Sequence, residues 1–555
     1  MQQSYYRFFE YLSTSVLNPE IDACGVFKYS EAEGLNVVFF VYLCRMKRFY
    51  LSLSALTALM SVTAAQPIDI EYHASLTAQA SSQRLAPYMI GSWNQGRYSQ
   101  GNGLWQEGGF SKELDLSRRF SWSAGFDYIV GVGSKKAYNR WDTQSQSWTT
   151  NSTGVSNARI QQLFAEVKFR GVYVYAGMKN RESGIVDSRL SSGDFTRSMN
   201  ARAIPGVSAG FIDFQNIPFT KGWLQIEGEL MFGKTLDTGF REGMFNYYQG
   251  LMTLHNYYTY ERCYFRTKPS KPFSIIIGMQ AGGFFAGDSH NFYNGKPTSE
   301  AIRHFSVKDL LRMWFPMQDG DEYYHGAHCG SWDFKARYNF RNGSTLSAYF
   351  EWPWEDGSGI GRMNGWDGIW GLQYNFAHKG YVSKVLFEYV DFSNQSGPLH
   401  YAPLDWDKPM LEGHASGHDS YYNNFEYGPY SNYGMSIGSP FNVSPIYNTS
   451  GALQYLHTRC KGFHIALEGN PIDRLDYRVM FSYQQSGGNV YIVRPGHYYN
   501  TSAMIETSVR PLRNIPGAQV TLQLALDYGK LRGNNLGALL SFSYSGNLSL
   551  LKNDK

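Results

Sequence analysis

The stretch "FSWSAGFDYIV" (120–130) repeats every two residues. Phe120, Trp122, Ala124, Phe126, Tyr128 and Val130 share one face, while Ser121, Ser123, Gly125 and Asp127 share the other. Side chains of a strand alternate in direction, so this is a sheet segment with one apolar and one polar face. The same pattern runs toward the end of the chain. In "LDYRVMFSYQ" (475–484), Leu475, Tyr477, Val479, Phe481 and Tyr483 alternate with Asp476, Arg478, Met480 and Ser482. In "AQVTLQLALDYG" (518–529), Val520, Leu522, Leu524, Leu526 and Tyr528 oppose Thr521, Gln523 and Asp527. Ala538, Leu540, Phe542 and Tyr544 then alternate with Leu539, Ser541, Ser543 and Ser545.

Turn chemistry fits these segments. Phe334, Ala336, Tyr338 and Phe340 lead into "RNGS" (341–344), and Leu346, Ala348, Phe350 and Trp352 lead out. Asn342-Gly343 tolerates the positive φ that a tight hairpin needs. No segment after residue 65 offers 18 consecutive apolar residues, so a membrane-spanning helix is not expected there.

"MKRFYLSLSALTALMSVTAAQ" (46–66) reads as a secretory signal. Lys47 and Arg48 give the basic start, 49–60 the apolar core, and Val62-Thr63-Ala64-Ala65 the small residues for cleavage. Residues 1–45 then read as an upstream extension with an over-called start, 46–65 as the signal peptide, and 66–555 as a single domain. Alternating segments of about ten residues behind a signal are the signature of an outer-membrane β-barrel. The expected fold is all-β: a transmembrane antiparallel β-barrel of roughly 16–20 strands. A secreted β-sandwich or propeller would show the same alternation, with its apolar face inward. Aromatic residues near strand ends favour the barrel.

Composition narrows the partners. The 50 Lys+Arg nearly balance 46 Asp+Glu, so electrostatics give no case for nucleic acid. Charged residues make up 17%, below the roughly 25% of soluble domains, and 42 tyrosines and 57 glycines suit a β-rich chain with many turns. Beyond the signal, Cys263, Cys329 and Cys460 are widely spaced and form no disulfide or metal-ribbon pattern.

Breaks in the alternation mark loops or a plug: 134–158, 285–303, 355–368 and 393–450. "SVKDLLRMWFP" (306–316) predicts a short loop helix capped by Ser306, with Asp309 in its first turn and Pro316 as its stop.

Several of these stretches resemble the capsule assembly Wzi family of Gram-negative outer membranes, in its Bacteroidetes branch. They are "QQLFAEVKFRGVYVYAGMKN" (161–180), "LSSGDFTRSMNARAIPGV" (190–207), "WEDGSGIGRMNGWDGIWGLQY" (354–374), "LFEYVDFSNQSGP" (386–398) and "HDSYYNNFEYGPYSNYGMSIGSP" (418–440). The resemblance implies a barrel of about 18 strands, constricted by loops or short helices. It also implies a lectin-like role at the cell surface, binding capsular polysaccharide or exopolysaccharide. Enterobacterial members begin with a helical bundle, whereas here "IDIEYHASLTAQASS" (68–82) is strand-like.

Two segments are candidate polysaccharide sites. Arg197, Asn200 and Arg202 offer two cations and an amide to uronate carboxylates or sugar hydroxyls. The same residues would also serve a structural loop pinned to lumen acids such as Asp356. Tyr421, Tyr422, Asn423, Asn424, Tyr427, Tyr430, Asn432 and Tyr433 offer ring faces for pyranose C–H faces and amides for hydroxyls. A self-packed plug loop would want the same residues. Asp356, Asp367 and Glu388 are expected to line the lumen or its constriction.

No enzyme is expected. A glycosidase needs two carboxyls roughly 5–10 Å apart across a sugar. Glu355 and Asp356 are adjacent on one segment and point apart. A remote partner such as Glu388 or Asp391 has no support in the spacing. "GSGIG" (357–361) lacks the βαβ context of a nucleotide loop. His325, His328 and Cys329, or His414, His418 and Asp419, are incomplete metal sets, and no metal or cofactor is expected. The expected protein is a monomer in outer-membrane lipid that binds surface polysaccharide; the rival reading is a porin for sugars or small solutes.

Overall fold

The computed structural model describes residues 68–550 apart from 316–317, 320–322, 397–418 and 511–514. The signal segment, the upstream extension, Pro316, His414 and His418 lie outside the described residues. Asp69–Leu548 forms one compact unit; of the other, Met1–Ile68 with Ser549–Lys555, only residues 68, 549 and 550 are described.

Eighteen strands form the barrel. They are β1 (Ile68–Ser81), β2 (Gly103–Lys112), β3 (Phe120–Gly133), β4 (Ala158–Phe169), β5 (Val172–Met178) and the interrupted β6 (Gly206–Phe211 with Gln215–Asn216). Next come β7 (Leu224–Lys234), β8 (Tyr257–Thr267), β9 (Phe273–Phe285), β10 (Ala327–Asn339), β11 (Thr345–Trp354) and β12 (Gly368–Asn375). The last are β13 (Lys384–Asp391), β14 (Cys460–Ile472), β15 (Leu475–Gly488), β16 (Val493–Val509), β17 (Ala518–Gly529) and β18 (Asn535–Leu550). Each pairs with its neighbour in sequence, and β1 pairs with β18, so the sheet closes and has no free edge. Closure is what a membrane demands, since an open edge would leave backbone groups unpaired in hydrocarbon.

Burial resolves which way the alternation points. On β3 the small and polar residues are inside: Ser121, Ser123 and Asp127 are buried, whereas Phe120 and Val130 are exposed. On β17, Asp527 and Ala525 are buried while Leu522, Leu524 and Leu526 face outward. A soluble sandwich would bury the opposite face. The outward apolar belt is bounded by aromatic groups at both ends of the wall. Phe350 stacks on Trp370 at 3.8 Å and Trp352 on Trp366 at 5.5 Å near one end, and Tyr374 meets Phe376 at 4.8 Å near the other. Paired aromatic girdles of this kind mark the two membrane interfaces.

The two ends differ. One carries short turns such as 170–171, 268–272, 340–344 and 473–474, together with the start of β1 and the end of β18. In the 340–344 turn, Gly343 takes the expected positive φ of 88°. The other end carries long excursions, including 179–205 and the described parts of 286–326 and 392–459. Barrels of this class place short turns on the periplasmic side and long loops outside. The predicted helix forms in one such loop as Val307–Trp314, and Ser306 Oγ accepts the Asp309 N–H at its start.

Candidate functional site: the plug and the mouth

Two excursions, 179–205 and the described part of 392–459, turn inward and plug the lumen, joined by 82–102, where Ala86, Tyr88 and Ile90 are buried. Ser191, Ser192, Asp194, Phe195 and Thr196 of the first, and Tyr421, Ser436, Ser439, Asn442 and Tyr455 of the second, are fully buried. An irregular segment inside a barrel brings unpaired backbone groups with it, and each needs a partner. Side chains on the polar face of the strands provide them. Glu388 on β13 accepts the Ser192 N–H at 2.6 Å and the Tyr349 hydroxyl. Glu351 on β11 accepts the Phe195 N–H at 3.0 Å. Gln280 on β9 donates to both oxygens of Asp194 at 2.9 Å, and Arg478 on β15 donates to the Arg189 carbonyl at 2.6 Å. Arg241, in the short helix Thr238–Met244 of another mouth loop, donates to the Ser431 carbonyl at 2.8 Å.

The first predicted cluster belongs to this anchoring. Arg197 donates to Glu229 on β7 at 3.4 and 3.0 Å, so its partner is Glu229 and not Asp356. Its guanidinium lies 3.5 Å over the Tyr260 ring. Asn200 donates to the Ser436 carbonyl at 2.8 Å and thereby joins the two plug segments. Arg202 donates to the Ile160 carbonyl and lies 5.2 Å over the Tyr433 ring.

The tyrosine-rich stretch is the centre of the second segment. Tyr422 stacks on Phe195 at 5.1 Å and on Tyr430 at 5.9 Å, and Tyr421 meets Phe195 edge-on at 5.4 Å. Their hydroxyls are also engaged. Tyr422 donates to the Phe195 carbonyl at 2.6 Å and accepts the Ser439 N–H at 3.0 Å. Tyr421 donates to Asp367 at 3.1 Å and accepts from Asn364 at 2.8 Å. Tyr430 pairs with Tyr258 at 3.3 Å, and Gly282 on β9 leaves the room its hydroxyl occupies. Asn423 exchanges hydrogen bonds with the Tyr455 backbone at 3.0 and 2.9 Å. Asn424 caps its own turn by accepting the Glu426 and Tyr427 N–H groups. Asn432 donates to the Arg202 carbonyl at 2.9 Å. The Tyr427 carbonyl accepts from Thr253 and Asn256. Ring faces and amides offered for sugar contact are thus turned on the protein itself. Phe425 alone of the aromatic residues in this stretch (419–434) is exposed.

The three lumen acids separate. Glu388 is buried at the first plug segment. Asp367 sits at the entry to β12, where it accepts the Asn394 and Gln395 N–H groups at 3.0 and 2.7 Å; burial pushes its carboxyl up to about 6. Asp356 is only half-buried, beside Glu355. Burial, with Asp419 and Asp356 nearby, pushes Glu355 well above the usual carboxylate range; it accepts the Tyr422 and Ser420 N–H groups at 2.9 and 3.2 Å. Sequence reasoning missed Glu229, Glu351 and Gln280, whose signal was present as charged or amide residues at mid-strand on polar faces, and Asp194, which lies in the first plug segment itself.

His328 is buried against Trp354, and Cys263, Cys329 and Cys460 are free thiols. Among the described residues no group of three or more His, Cys, Asp or Glu is placed to hold a metal.

No family model matches the chain. A search of curated proteins finds no match either. Among solved structures, the chain is similar to the Escherichia coli Wzi protein, described as a carbohydrate-binding β-barrel involved in group 1 capsule assembly. The identity is 11%, the coverage 88% of this chain and 87% of that one, and the TM-score 0.49. It is also similar to Acinetobacter baumannii OccAB2, at 8% identity, 86% and 98% coverage and TM-score 0.44. Pseudomonas aeruginosa OccK3 aligns at 10% identity, 86% and 96% coverage and TM-score 0.41. The fold of this chain, read from its own closed sheet, apolar belt and girdles, is that of an outer-membrane β-barrel.

Proposed function

We propose that this protein is a non-enzymatic barrel that holds surface polysaccharide at its outer mouth. The observation that carries this reading is the plug packed across the lumen. Tyr421, Phe195 and Asp194 are fully buried inside the barrel: Phe195 and Asp194 bond to Glu351 and Gln280 of the wall, and Tyr421 bonds to Asp367 at the entry to β12 and packs edge-on against Phe195. A plug fixed this way leaves little purpose for the barrel as a conduit. It leaves instead a rigid base from which the outer loops meet whatever lies beyond the membrane. Hydroxyl, amide and aromatic side chains on those loops match the chemistry of a glycan: hydrogen-bonding hydroxyls around apolar C–H faces. The resemblance to the capsule assembly Wzi family agrees with this reading.

Two measurements on one deletion strain and its purified protein test it. Deletion should shed polysaccharide from the cell surface into the medium, with total synthesis unchanged. The purified barrel should carry no large steady current in planar bilayers. Full retention of polysaccharide by the deletion strain, together with large steady currents, would replace this reading with a sugar or solute porin.

A further inference from the structure

The enclosed tyrosines leave open where a glycan would touch, and the hairpin of Lys136–Asp142 with Ser147–Thr153 answers it. Its register pairs Trp141 with Trp148 and Asn139 with Thr150, so these four residues share one face. Asn139, Trp148 and Thr150 are exposed, Trp148 at 51%. Trp141, Trp148 and Tyr248 form a three-ring cluster with centroids 5.4, 4.9 and 4.9 Å apart. Trp141 and Tyr248 thus back Trp148, which presents its remaining surface to solvent.

The hairpin is held over the plug, not against the lipid belt. The Asn139 N–H bonds to the Thr449 carbonyl at 3.0 Å and the Trp141 N–H to the Asn246 carbonyl at 2.7 Å. Tyr138 donates to the Ile446 carbonyl at 2.9 Å, and Lys136 to the Tyr447 carbonyl at 2.7 Å. Asn151 fixes the second strand to the Gly243 carbonyl at 2.6 Å. A preorganised platform loses little freedom when it binds.

Charge identifies the class of ligand. The stretch "TQSQSWTTNST" (143–153) has no charged residue, and on the paired strand Lys136, Arg140 and Asp142 alternate onto the face opposite Asn139 and Trp141. Apart from Trp148 the stretch consists of hydroxyl and amide side chains. A polyanion would call for Arg or Lys at this surface, and a lipid surface for further apolar residues around the ring. We infer that Trp148, backed by Trp141 and Tyr248, is a stacking platform for the apolar face of an uncharged pyranose, with Asn139 and Thr150 beside it to meet hydroxyls. This rests on the polysaccharide reading above and adds to it a site and a ligand class.

The test uses the full barrel in detergent and the surface polysaccharide of the producing strain, separated into uncharged and acidic fractions. The uncharged fraction should bind, perturb tryptophan fluorescence, and hold its affinity from about 50 to about 500 mM salt. Trp148→Ala should weaken binding at least about tenfold, and Trp148→Phe should recover part of it. Heat-modifiable gel mobility confirms that both variants are folded. Unchanged binding by Trp148→Ala, or binding of the acidic fraction alone with loss at high salt, would overturn this site while leaving polysaccharide binding standing. Binding of neither fraction by the wild-type barrel would overturn both.

Discussion

Arg197 and Glu229 join the first plug segment to the barrel wall. Two guanidinium nitrogens reach the two carboxylate oxygens, at 3.4 and 3.0 Å. Ser208 also donates to Glu229 at 2.9 Å, and Arg262 lies 3.7 Å away. Both side chains are nearly enclosed, so removing one partner strands the other charge. Losing one member of a buried pair costs about 3–5 kcal/mol, and Arg262 should keep this case near the lower end. Arg197→Ala should therefore lower the urea midpoint of the purified barrel and admit brief openings in planar bilayers. The double variant Arg197→Met with Glu229→Met should lose less than the two single changes added together. Additive losses would mean that the pair does not act as one anchor.

Tyr422 carries a separable contribution. Its hydroxyl donates to the Phe195 carbonyl and accepts the Ser439 N–H, bridging the two plug segments. Tyr422→Phe leaves both backbone groups buried without that partner, at a cost of about 1–3 kcal/mol. Tyr422→Ala also removes the stacking on Phe195 and Tyr430 and should cost about 3–5 kcal/mol. Thermal loss of heat-modifiable mobility should rank wild type above Phe and Phe above Ala. Equal melting of wild type and Tyr422→Phe would show that the bridge contributes nothing.

The barrel was legible in the chain because its alternation is long and regular, as in 120–130 and 518–529. What the period could not say was which face meets lipid. That depends on closure of β1 on β18, a pairing of segments more than 450 residues apart. The plug was legible as irregular sequence, but its contents were not. Tyr421 and Tyr422 look the same on paper whether they stack on sugar or on Phe195. The choice is made by Glu355 and Asp367, which accept hydrogen bonds from their neighbourhood across a long sequence gap. Trp148 was passed over for the converse reason: a lone tryptophan in a polar loop has no pattern until Trp141 and Tyr248 are brought beside it.

Asp367 should make part of the mouth respond to pH. Burial raises its carboxyl from 3.8 to about 6, against the opposing pull of the Gln395 and Asn394 N–H groups. The folded protein therefore holds this proton more tightly than the unfolded chain does. The stability it contributes is fully present below 3.8 and is lost as pH rises through about 6. The urea midpoint of the wild-type barrel, measured relative to Asp367→Asn, should be higher at about pH 5 than at about pH 7.5. A relative midpoint that rises with pH would reverse the assigned sign.

Leu524 tests the orientation of the whole barrel. It lies mid-strand on β17 and is 46% exposed, while its neighbour Ala525 is buried against the lumen. In water an exposed leucine would tolerate a charge at little cost. In a lipid-facing belt, arginine near the bilayer midplane costs about 2–4 kcal/mol. Leu524→Arg should thus shift urea-titrated folding into lipid vesicles by that amount. Leu540→Arg, on the same outward face of the adjacent strand and its cross-strand partner at Leu522, should behave alike. A charged residue at Phe425, which is exposed in a mouth loop, should leave folding unchanged. If arginine at Leu524 were as harmless as one at Phe425, the apolar belt would not face hydrocarbon, and the membrane reading of the alternation would fall.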